Sequence, residues 1–162
     1  MDAGSGDAPT GDIGSIQLVG DNGRPIDLLE EEAQGGHTIA KHVGKSEAFL
    51  FNRLETEIYR IGPVSVGLQR AGSFPSLEAA NKLVNSTIAE NSDIVAKVAS
   101  GELPSARVEK DFGSKTGYEA YKRNDRAQAY IRDTSSVGAF ITHDSDSPRG
   151  YRVITAFPMR RD

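Results

Sequence analysis

The chain changes its hydrophobic period part-way along, and that change limits its architecture more than any single motif. Between residues 26 and 101 apolar side chains recur at helical intervals; beyond Pro104 they alternate as in strands. Ile26 to Ala33 reads as a short acidic helix stopped at Gly35-Gly36. Ser46 is a suitable N-cap for the next helix, with Glu47 in its first turn, where the helix dipole favours a carboxylate. Leu50, Leu54 and Ile58 make its apolar stripe, with Phe51 alongside, and Arg53 falls off that stripe next to Phe49 and Glu57. Residues 59–75, broken by Gly62-Pro63, Gly67, Gly72 and Pro75, read as loop. Ser76 then caps a helix carrying Leu77, Ala80, Val84 and Ile88 on one face, and a further helix from Ser92 to Ser100 ends at Gly101. Strands follow around Ala106 to Phe112, Val137 to Thr142 and Tyr151 to Phe157, the last two joined by a turn-rich Asp144–Gly150 as an antiparallel hairpin. Helices first and strands later predict an α+β fold with an antiparallel sheet. On the last strand a period of two puts Tyr151, Val153, Thr155 and Phe157 on one face and Arg152, Ile154 and Ala156 on the other.

Residues 1–25, rich in Gly, Asp and Ser, read as an acidic linker or leader with one short apolar run at Ile16–Val19, so the domain is placed at 26–162. Residues 1–35 hold Asp2, Asp7, Asp12, Asp21, Asp27, Glu30, Glu31 and Glu32 against Arg24 alone, whereas residues 103–162 carry a small cationic excess. The overall net charge of −4 therefore conceals a rear half able to present a phosphate-attracting face. The chain has no cysteine, which excludes disulfides, a thiolate nucleophile and zinc sites with cysteine ligands. No run approaches the ~20 apolar residues of a membrane span. The first residues lack the basic and apolar stretches of a signal peptide.

Two of the three histidines, His37 and His42, lie in the Gly-bracketed stretch Gly35-Gly36-His37-Thr38-Ile39-Ala40-Lys41-His42-Val43-Gly44; the third is His143, beside Asp144 in a turn. Histidine titrates near neutrality and is the usual carrier of acid–base catalysis. Spacing by five would splay the pair by ~140° on a helix, which disfavours a shared metal. No Gly-x-Ser-x-Gly elbow and no Gly-rich phosphate loop occurs. Cleavage of a phosphodiester without a metal or other cofactor fits better: it needs a base for the 2′-hydroxyl, an acid for the leaving oxygen and cations for the phosphorane. Lys41 and Lys45 flank the histidines and could steer phosphate. A hydrolase or transferase acting on another substrate is equally compatible with these residue types.

The stretch Gly35 to Ser46, then Arg53-Leu54, and the closing Gly150-Tyr151-Arg152-Val153-Ile154-Thr155-Ala156-Phe157-Pro158 resemble the bacterial RNase A-like toxin domain found at the C-termini of CdiA proteins of contact-dependent growth inhibition. The likeness runs from about Leu28 to Pro158. It implies an RNase A-like α+β fold, N-terminal helices on a C-terminal antiparallel sheet, held without disulfides. It also implies metal-independent RNA cleavage, with no cofactor, through a 2′,3′-cyclic phosphate. The implied partners are RNA and a cognate immunity protein, the chain being a monomer or a 1:1 complex. Export would be as the tail of a larger delivery protein, with action in the target-cell cytoplasm. By motif position the resemblance places the functional group at His42, Arg53, Thr155 and residue 157, with His37 as the second histidine. Which histidine is acid and which base stays open.

Residue 157 departs from the family, whose usual tyrosine is Phe157 here, with no hydroxyl to give. Tyr151 on the same predicted face, or His143, could replace that hydroxyl; alternatively only an aromatic face for stacking a base is needed. A binding module of this fold without activity is the rival reading.

Overall fold

The computed structural model describes residues 24–161. The leader reading, with its strand at 16–19, falls on residues of which 1–23 lie outside the described part. Five helices, α1 (Leu28–Ala33), α2 (Thr38–His42), α3 (Glu47–Thr56), α4 (Leu77–Glu90) and α5 (Ser92–Ala99), combine with eight strands among the described residues. These are β1 (Ile58–Ile61), β2 (Val64–Gly67), β3 (Arg70–Ser73), β4 (Ser105–Asp111), β5 (Gly117–Tyr121), β6 (Tyr130–Thr134), β7 (Ser136–His143) and β8 (Tyr151–Met159). All strand pairing is antiparallel, in a β1–β2 hairpin and two three-stranded sheets ordered β3-β5-β6 and β4-β7-β8. The α+β expectation holds.

Each sheet has its own helical cover. Val84 and Ile88 of α4 and Val95 and Val98 of α5 pack on Val108, Val137, Ala139 and Ile141 of the β4-β7-β8 sheet. Burying each such side chain is worth about 1.5–3 kcal/mol. Leu50 and Leu54 of α3 pack on Ala71 and Ala120 of the other sheet. Ser46 and Ser76 cap α3 and α4 as expected, their hydroxyls accepting from Phe49 N and Ala79 N at 3.1 Å. Gly101, in the left-handed region at φ 86°, closes α5.

Three expectations fail for identifiable reasons. Residues 59–75 are not loop but hold β1, β2 and β3. These are four-residue strands, too short and too broken by Gly62-Pro63 and Gly67 to show a pattern, and β3 finds its partner β5 more than forty residues onward. Ile58 is not on the α3 stripe: the helix ends at Thr56, Glu57 takes the C-cap, and Ile58 opens β1 exposed to solvent.

The third failure concerns the last strand. Opposite β7, Ile141 pairs with Val153 while Phe140 pairs with Thr155, so Ile154 is a β-bulge. The alternation shifts by one at that residue. Tyr151, Val153 and Ala156 consequently enter the core, and Thr155 and Phe157 turn to the opposite face. The bulge is sewn to the N-terminal helices: Val153 N donates to buried Glu31 Oε1 at 2.7 Å, His37 N to Ile154 O at 2.9 Å and Ala156 N to Thr38 Oγ1 at 2.9 Å. Arg149, also buried, donates to the other Glu31 oxygen at 3.3 Å.

Candidate active site

Those bonds press α2 against β8 and set His42 between the two sheets. The end of α2 is tied to the end of β3, with Phe74 N donating to His42 O at 2.7 Å and Gly44 N to Phe74 O at 2.8 Å. His42 Nδ1 then meets the Gly72 carbonyl at 2.9 Å. A carbonyl only accepts, so Nδ1 carries the proton and neutral His42 keeps Nε2 as a base. Burial pushes the His42 pKa down to about 4, the Gly72 bond opposing and the Arg53, His37 and Lys41 charges assisting. Gly72 owes its identity to this packing: a Cβ there would lie 2.4 Å from the Pro158 carbonyl oxygen, where the two sheets touch.

Arg53 comes from α3 and is buried at 6% exposure despite its charge. Glu57, one turn on, grips it with both carboxylate oxygens, accepting from Nε at 2.5 Å and Nη2 at 2.9 Å. Hydrogen bonding to Arg53 holds the Glu57 carboxyl below its ordinary range, so the pair stays ionised. Arg53 Nη1 is buried without a hydrogen-bond partner, and so is Thr155 Oγ1 on β8. An unpaired buried donor costs ~1–3 kcal/mol, so both groups are disposed to bond a ligand that enters beside them.

These groups line one cavity of about 250 Å³. Its wall contains His37, Lys41, His42, Arg53, Thr155 and Phe157, all singled out in the sequence, together with Tyr59, Leu68, Arg70, Arg107 and Phe140. His37 is half-buried, and desolvation, then the Lys41 charge, lower its pKa. It precedes α2 without a side-chain capping bond. Phe157 packs against His42, ring centres 5.7 Å apart.

Three expected residues are elsewhere. Tyr151 is fully buried in the core because of the bulge, so it does not share the Thr155 face. Lys45 is not in the wall; its ammonium sits over the Phe49 ring at 5.1 Å. His143 meets the Val98 carbonyl at 2.9 Å through Nδ1, away from the cavity. The phenol that does reach the wall is Tyr59, on a strand hidden from sequence reading. Arg70 and Arg107 were equally invisible as site residues, since each is one more cation until strand pairing brings it to the wall.

The sequence profile described as the bacterial CdiA-CT RNase A domain matches residues 36–158, which contain every wall residue just named. No curated protein is detectably similar to the chain. Among solved structures, the fold is similar to that in the crystal structure of the CdiA-CT/CdiI complex from Y. kristensenii 33638, with a TM-score of 0.62 and 24% sequence identity. That likeness covers 76% of this chain and 99% of the other. The profile match spans most of the sequence and encloses the whole cavity wall, and the chain therefore belongs to the bacterial CdiA-CT RNase A domain family.

Proposed function

We propose that this domain cleaves RNA without a metal ion, by attack of a ribose 2′-hydroxyl on the adjacent phosphorus. One observation carries the reading: a histidine fixed in its Nδ1–H tautomer shares a cavity with an unpaired arginine Nη1 and an unpaired threonine hydroxyl. His42 Nε2 takes the proton of the 2′-hydroxyl as its oxygen bonds to phosphorus. The bond from phosphorus to the 5′-oxygen breaks, that oxygen takes a proton from His37, which enters the step as imidazolium and leaves it neutral, and a 2′,3′-cyclic phosphate remains. Arg53, aimed by Glu57, holds the charge that grows on the phosphorane, and Thr155 donates to phosphate or to a pyrimidine base. Lys41, Arg70 and Arg107 make the cavity wall cationic, as a polyanionic substrate requires. Phe157 serves as a wall for His42 and the substrate rather than as a proton donor, having no hydroxyl.

Family membership supports the biological setting: a toxin carried as the C-terminal part of a larger delivery protein, acting in the target-cell cytoplasm and neutralised by a cognate immunity protein. Among the described residues no helix is long and apolar enough to cross a membrane.

The test is incubation of the purified domain with total bacterial RNA in excess EDTA, beside His42→Ala. Cleavage that survives chelation, leaves cyclic-phosphate ends and disappears in the variant is expected. Intact RNA with both proteins overturns the reading in favour of a binding module; cleavage by both removes His42 from the mechanism.

A further inference from the structure

Strand register places Arg107 of β4, Phe140 of β7 and Thr155 of β8 directly opposite one another, in one row across the sheet. The next row on the same face is Glu109, Gly138 and Phe157. The strand neighbours of Phe140, Ala139 and Ile141, face the core, while Phe140 faces the cavity wall and is 40% exposed. Gly138 is what lets Phe157 lie beside it, since a Cβ at 138 would fall 2.9 Å from the Phe157 ring; the two phenyl centres are 6.1 Å apart.

The Arg107 guanidinium sits over both rings, 5.4 Å from the Phe140 centre and 5.1 Å from that of Phe157. It is held there from two sides. Its Nε donates to Glu109 at 2.7 Å and its Nη2 contacts the Met159 sulfur at 3.3 Å, while Arg161 secures Glu109 at 3.0 Å. A partly exposed aromatic side chain, a pinned cation from the strand on one side and the unpaired Thr155 hydroxyl from the strand on the other form a surface for a flat heterocycle attached to a phosphate. An aliphatic ligand would use neither the cation nor the hydroxyl.

We propose that Phe140 and Arg107 form a ledge that binds the nucleobase of one nucleotide flanking the scissile phosphate. This rests on the ribonuclease reading for its substrate. The base stacks on the Phe140 ring, and Arg107 neutralises the phosphate of that nucleotide. The ledge thereby selects a substrate with an unpaired, unstacked base next to the cut, so single-stranded RNA is preferred to duplex.

The experiment measures binding rather than turnover. Fluorescein-labelled 2′-O-methyl tetranucleotides, which lack the attacking hydroxyl, are titrated with wild-type protein, Phe140→Leu and Phe140→Tyr, and one abasic residue is placed at each position in turn. Expected is one position at which loss of the base weakens wild-type binding roughly tenfold, the usual size of a base–aromatic stack. Phe140→Leu binds the complete oligonucleotide roughly tenfold more weakly and is indifferent to that abasic residue, whereas Phe140→Tyr behaves as wild type. Equal affinity of Phe140→Leu and wild type, or a full abasic penalty retained in Phe140→Leu, overturns the ledge. Wild-type protein that binds with this pattern but leaves RNA intact overturns the ribonuclease reading alone. Absence of any binding by wild type overturns both.

Discussion

Acidification should destabilise this domain through His42 specifically, and the size follows from its environment. An imidazole in the unfolded chain has a pKa near 6.5, while burial holds the folded one at about 4. Above pH 6.5 both states are neutral at this residue and it has no effect on stability. Between 6.5 and 4 the unfolded chain binds a proton that the folded chain refuses, so folding stability falls as pH falls; below 4 both bind it and the effect levels off. Two and a half pH units at 1.36 kcal/mol each give roughly 3 kcal/mol, a large share of the stability of an ordinary domain. Urea unfolding of wild type and His42→Gln at pH 7.5, 6, 5 and 4 measures it, the glutamine being neutral throughout and retaining an N–H donor. The stability advantage of wild type over variant should shrink by about 3 kcal/mol across the series. Glu109 also titrates away from its ordinary value but is present in both proteins and drops out of the difference; His37 and Glu57, whose charges couple to His42, enter it only as minor contributions beside burial. A difference that changes by less than about 1 kcal/mol would refute the claim that His42 is held neutral by burial.

The same group sets the kinetics: the acidic limb of kcat/KM for RNA cleavage should fall near pH 4 rather than 6.5, read from a rate–pH profile on a dinucleotide substrate. Glu57→Gln should lower kcat roughly tenfold with the fold intact by circular dichroism, because Arg53 loses the grip of a carboxylate that fixes its direction. Glu31→Ala should cost about 4 kcal/mol in urea unfolding, since it leaves Arg149 buried without a counter-charge and the bulge without its anchor. Gly72→Ala should lose about 2 kcal/mol by the same measurement, because its methyl meets backbone of the other sheet rather than a movable side chain.

The elements legible in the sequence are those whose information is local. Ser46 with Glu47, Ser76 with Glu78, and Gly101 announce helix ends by capping chemistry, and the Val137 and Tyr151 strands announce a hairpin by pattern and turn. What stayed hidden is set by long-range pairing. Arg70 to Ser73 is a strand because Tyr118 to Tyr121 lies beside it, not because its own residues favour one. The short α2 has its N-terminal amides, Ile39 N and Ala40 N, bonded to the Glu32 carboxylate at 3.0 and 2.8 Å, a cap borrowed from the preceding helix. In the site, motif position marked His42, Arg53, Thr155 and Phe157, and all four reach the wall. Tyr151 was misplaced because period-two reading assumes an unbroken ladder. The extra residue at Ile154 answers to Glu31 and Thr38, more than a hundred positions earlier.

That extra residue serves through its backbone and stands outside the β7–β8 ladder. Ile154 can change to other side chains without altering which of its neighbours look inward. Deleting it would join the two halves of the ladder without changing their phase, because Ile141 already pairs with Val153 and Phe140 with Thr155; Ala156 would stay in the core and Thr155 and Phe157 on the cavity face. What its deletion would remove is the Ile154 carbonyl that accepts from His37 N at 2.9 Å. Side-chain changes at 154 therefore leave the site in place, whereas loss of that residue unfastens the segment that carries His37 and His42 from β8.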